Sequence, residues 1–176
     1  MDRSAFLWDD FAWTTHIPLP PEPAAPRQAP SHTQVRVPVC FAPEGREDQP
    51  LDDSEIAAVA RAVANLPRLF TALLPHLLTY CETLRAHPEA HDLAPDDLPA
   101  VDTPAAMTAL IEVENIYVHQ VSQDGIPYAG IEFSYPWEEE HGLGVLMHDT
   151  RIVELGGADS ALLLWIAKED ARQAPA

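Results

Sequence analysis

Basic residues are scarce in this sequence: ten Lys and Arg stand against 28 Asp and Glu, for a formal net charge of −18. Nucleic acid and anionic membrane surfaces are bound chiefly through Lys and Arg, so neither is an expected partner. The same acidity steers the chain toward a basic protein surface, besides keeping it soluble. Cysteine is scarce as well. Cys40 and Cys81 are far apart and fit no closely spaced ligand motif, which implies reduced, buried thiols and a cytoplasmic location. No run of about 18 apolar residues occurs, so no membrane-spanning helix is expected. The first ten residues lack the basic region and continuous apolar core of a signal peptide, and export by that route is not expected. Walker and dinucleotide patterns are missing, as is the glycine-framed serine of the hydrolases.

Proline, by contrast, is abundant. There are 18 in 176 residues, about twice the usual 5% or so, which implies long connections between regular elements. They concentrate in a connector over residues 18–31, of polyproline-II character, and in an acidic loop over 88–105. The length is that of one domain spanning 1–176.

Residues 6–19 read as an apolar segment, partly strand, anchored on the core by Phe6, Trp8, Phe11, Trp13 and Ile17. Val35, Val37 and Val39 alternate with polar residues and predict a strand, which Pro38 assigns to an edge. Asp52 followed by Glu55 is a capping box opening a long helix. Its apolar face is Ile56, Val59, Ala60, Val63, Leu66, Phe70, Leu73, Leu74, Leu77, Cys81 and Leu84. Pro67 and Pro75 predict a break near 65–67 and a kink near 71–75.

Over residues 109–121 the alternation changes phase, and a bulge at Glu114-Asn115 brings Ile111, Val113, Ile116 and Val118 to one side. Asp124-Gly125 and 148–150 are hairpin turns. Asp159 caps a C-terminal helix over 161–170 that turns Leu162, Leu163, Trp165 and Ile166 inward. The expected fold is therefore α+β: an antiparallel meander with a long kinked helix and a C-terminal helix packed on one face.

Chemistry concentrates on one hairpin tip. A metal reading would combine His141 and His148 with Glu138, Glu139 or Glu140, as imidazole and carboxylate suit zinc or iron. The odd spacing of the two histidines points them to opposite faces of a strand, and His16 or His119 would have to complete the set. No metal or cofactor is therefore expected. An acid–base reading would use Glu140 with His141, or Glu132 with Glu154 from neighbouring strands. No nucleophile accompanies either pair. The remaining reading makes Trp137, Glu138, Glu139, Glu140 and His141 a partner-binding tip, an aromatic ring among carboxylates suited to a basic protein.

The run Trp137-Glu138-Glu139-Glu140-His141-Gly142-Leu143-Gly144-Val145, followed by residues 151–159, resembles the C-terminal signature of a family of small bacterial domains of unknown function. Some members are similar to cytoplasmic immunity proteins of toxin systems. The resemblance implies no catalytic or ligand-binding residue. It does imply a non-enzymatic bacterial binding protein that neutralises a cognate toxin. The alternatives are a small metal-dependent or acid–base enzyme centred on Glu140 and His141, and a housekeeping domain without a toxin partner.

Overall fold

Short turns with left-handed residues set the C-terminal half of the sheet. Asp124 and Gly125 adopt φ of 53° and 73°, the pair of positive angles that a two-residue type I′ hairpin requires. They join β4 (Glu112–Gln123) to β5 (Ile126–Ser134). Asp149, at φ 50°, serves the turn from β6 (Leu143–His148) to β7 (Arg151–Gly156). With β1 (Leu7–Trp8), β2 (Trp13–Pro18) and β3 (Arg36–Phe41), these strands form one sheet in sequence order. The computed structural model describes residues 1–19, 36–46, 49–91, 100–135 and 142–173. Most of the proline-rich connector thus lies outside the described residues, as do 92–99 of the acidic loop, whose described ends carry a 3-10 turn (Pro88–His91) and the start of a short helix, α2 (Pro104–Thr108).

Every neighbouring pair is antiparallel except β3 and β4. Those two are parallel because α1 (Asp53–Ala86) lies between them in the chain and returns it to the starting end of the sheet. Pro38 does not put β3 at an edge, since β3 is the third of seven strands. The strand tolerates the proline because pairing with β4 starts only at Val39, opposite Ile116. The expected bulge is present as a register shift between Val113 and Asn115. It brings Ile111, Val113, Ile116 and Val118 into one core cluster.

The capping box on α1 is complete. Asp52 Oδ1 accepts from the N–H groups of Ser54 (2.9 Å) and Glu55 (3.0 Å), and Glu55 Oε2 accepts from the N–H of Asp52 (2.7 Å). The expected break at Pro67 is absent, because the helix runs unbroken through both prolines. Each internal proline costs roughly 3 kcal/mol. Against that, α1 buries eleven side chains, Leu66, Leu69, Phe70, Leu73 and Leu77 among them, and each large one contributes about 1.5–3 kcal/mol. Packing therefore outweighs the two prolines. By length and composition α1 also suffices to cross a bilayer (mean hydropathy 1.3), yet its apolar row is buried against the sheet.

The class is α+β as expected, but the two helices do not share a face. α1 packs on Val39, Ile116, Ile131, Phe133 and Val145. A separate cluster of Tyr128, Leu146 and Ala167 places α3 (Leu164–Gln173) on the opposite, far face. Alternation along β5 explains the split, since Tyr128 and Gly130 point away from Ala129 and Ile131.

A trough of glycines seats the C-terminal segment on the far face. Gly144 pairs with Gly156, and Gly130 pairs with Leu146 beside them. A Cβ on Gly130 would lie 1.8 Å from the carbonyl oxygen of Ala161, and one on Gly144 would lie 2.4 Å from that of Gly157. The 3-10 turn Ala158–Ala161 thus rests directly on sheet backbone. Because that turn, and not α-helix, occupies the expected helix start, the inward set changes. Leu162 and Trp165 are exposed, Leu163 and Ile166 are half-buried, and Ala167 is the buried contact.

Candidate functional site

α3 and the 3-10 turn cover β5 to β7 and reach β4. Among the described residues, no helix covers the far face over β1, β2 and β3. One row of paired positions runs from this uncovered part of the sheet to the edge of the C-terminal segment: Leu7, Thr14, Cys40 and Tyr117, then Gly130, which lies under Ala161. Beside the row, a groove of about 500 Å³ is lined by Phe11, Cys40, Tyr117, His119, Leu162 and Leu164, among others.

Carboxylates stand at both ends. Asp9 accepts from the N–H groups of Phe11 (3.1 Å) and Ala12 (2.8 Å) and from the Thr14 hydroxyl (2.7 Å). Burial opposes its charge, but these hydrogen bonds prevail and hold its carboxyl below the usual range. At the other end, Glu132 Oε2 accepts from Asn115 Nδ2 (2.9 Å) and from the Tyr117 hydroxyl (2.8 Å). Burial first, then this bond to an anionic acceptor, pushes the Tyr117 phenol well above its ordinary value. Cys40, whose Sγ lies 3.5 Å from the Thr14 hydroxyl oxygen, is raised chiefly by burial, with Asp9 and Glu132 adding to the effect. At neutral pH the row is therefore a protonated phenol and a protonated thiol between two carboxyl groups. Neither group is poised as a nucleophile.

Apolar side chains left in water surround the row. Leu7 is 74% exposed, Phe11 84% and Leu162 46%. Phe11 was expected to anchor the core. It fails to because Asp9 and Asp10, the latter at φ 75°, turn the chain between β1 and β2 and leave Phe11 at the loop. The core anchors of this segment are Phe6, Ile17 and Leu19, with Trp13 packed at the margin and Trp8 against it at 5.8 Å between ring centroids.

The expected tip, Trp137, Glu138, Glu139, Glu140 and His141, lies outside the described residues, and with it the Glu140–His141 pair. Its flanks are described: Tyr135 is buried, and Gly142 has a φ of 60°. The other residues considered for chemistry are dispersed. Glu132 is paired with Gly144 on β6, while Glu154 on β7 is opposite Leu146, so a whole strand separates the two carboxylates. His119 is buried with Nε2–H donating to the carbonyl of Ala161 (2.9 Å), and burial lowers its pKa. His148 Nε2 lies 3.1 Å from the Gln123 carbonyl, and its ring rests 4.7 Å from that of Tyr128. No group of three metal-ligating side chains occurs among the described residues.

Sequence reasoning missed Asn115, Tyr117 and the Asp9–Thr14 pair. A signal was there: Asn115, Tyr117 and His119 alternate with Ile116 and Val118, so the side of β4 away from the core is polar and aromatic.

Fold and site together define an α+β sheet domain with one face closed by a long helix and the other, among the described residues, half uncovered. Residues 25–162 match the family described as Domain of unknown function (DUF6985), and the chain belongs to that family. No curated protein and no solved structure matches the chain.

Proposed function

We propose that this is a non-enzymatic binding protein of the bacterial cytoplasm, of immunity type, which neutralises a cognate toxin by occluding it with an acidic surface. The observation that carries the reading is the open far face, where Leu7, Phe11 and Leu162 are exposed beside the carboxylates of Asp9 and Glu132. An apolar patch left in water and rimmed by polar groups marks an interaction surface. The net charge of −18 selects a basic partner and accelerates encounter with it. In this reading the tip residues Trp137, Glu138, Glu139, Glu140 and His141 supply a second acidic contact.

Native mass spectrometry of the protein purified gently from its own host tests the reading. The expected result is a bound second polypeptide of basic composition. Combined Glu138→Lys, Glu139→Lys and Glu140→Lys substitutions are then expected to slow its association at low salt. A stoichiometric metal ion, or a turnover abolished by His141→Ala, would contradict the reading and favour an enzyme centred on Glu140 and His141.

A further inference from the structure

The carboxylate of Glu132 is half used. Both of its described donors, Asn115 Nδ2 and the Tyr117 hydroxyl, converge on Oε2. Among the described residues the side chain is held in place by these two hydrogen bonds, and Oε1 has no donor. Asp9, fixed by three donors, faces the same row from the other end. Between them lie Tyr117 and Cys40, paired across β3 and β4, with the exposed Phe11 and Leu162 alongside.

We propose that this row seats an arginine side chain of the basic partner, its guanidinium over the Tyr117 ring and its N–H groups donating to Glu132 Oε1 and toward Asp9. The inference rests on the binding reading above and adds what the partner must present. Arginine fits better than lysine for three physical reasons. Its planar fork carries several donors at once, it is weakly hydrated, and it stacks on aromatic faces. Phe11 and Leu162 then receive apolar residues flanking the arginine and keep water from the ion pair. Among the described residues the reverse polarity has no comparable seat. The cavity between α1 and the β5–β6 strands is flanked by Arg61 and Arg68, but Asp149 occupies it, pairing with Arg68 at 3.4 Å and accepting from Asn65 at 3.2 Å.

The test needs no identified partner. The ¹⁵N-labelled full chain is titrated with the acetylated, amidated tripeptide Leu-Arg-Leu and with its lysine and citrulline counterparts, and amide shifts are followed. The arginine peptide is expected to give saturable shifts at Cys40, Tyr117 and Glu132. The lysine peptide should bind more weakly and the uncharged citrulline peptide should give none at these positions. Glu132→Gln should weaken the arginine peptide by roughly tenfold. Phe11→Ser, at a position too exposed to affect folding, should weaken it too. Equal shifts from the citrulline peptide, shifts confined to residues elsewhere, or indifference to both substitutions would overturn the proposal. If a basic partner accompanies the native protein while the arginine peptide fails on this face, the binding reading stands and this inference falls. If the peptide binds as described but no partner accompanies the native protein, the reading fails instead.

Discussion

Burying a histidine with one ring nitrogen on a carbonyl ties stability to pH. His119 is buried, and its pKa is lowered because burial disfavours the charged ring. In the unfolded chain the imidazole protonates near 6.5, whereas the folded chain resists protonation until a lower pH. Unfolding therefore takes up a proton, so stability falls as the pH drops below that value and levels off only at the folded pKa. The expected outcome is a urea midpoint that declines from about pH 7 to about pH 5, with a smaller decline in His119→Gln, whose amide can still donate to Ala161. Gly130 offers a second test. A methyl there would meet the Ala161 carbonyl at 1.8 Å, backbone against backbone, so Gly130→Ala should cost roughly 3 kcal/mol, the upper end of overpacking penalties. Legibility at this scale followed locality. The positive φ of Asp124 and Gly125 could be read from the Asp-Gly turn signal. The need for glycine at 130 and 144 could not, because the atoms they make room for belong to residues 157–161.

Elements were legible wherever their cause lies within a few residues. The capping box, the two C-terminal hairpin turns and the bulge before Asn115 each follow from adjacent side chains and turn chemistry. Asp52→Ala removes the acceptor for two helix N–H groups and is expected to lower stability by about 1 kcal/mol, read as a shift in denaturation midpoint at constant slope. Three element expectations failed for one shared reason, that tertiary packing overrides local preference. Pro67 predicted a break, and a buried apolar row holds α1 together. Pro38 predicted an edge, and the return of the chain through α1 sets β4 beside β3. The C-terminal helix was expected beside α1, and the glycine trough draws it to the far face.

At the scale of the molecule, charge and topology work in the same direction. The sheet spends one face on α1 and half of the other on α3, and what remains carries apolar side chains between carboxylates. Composition showed the acidity and suggested a basic partner. It could not show the open face, which exists only once residues from 7 to 132 share a sheet and Phe11 is excluded from the core. The central claim is that this face binds a basic protein. The measurement that tests it most directly is the association and dissociation kinetics of the polypeptide that accompanies the native protein, at low and high salt, for wild type and Phe11→Ser. The account expects association that slows steeply as salt is raised and a dissociation rate roughly tenfold higher in Phe11→Ser. Association indifferent to salt, with dissociation unchanged by the substitution, would contradict it.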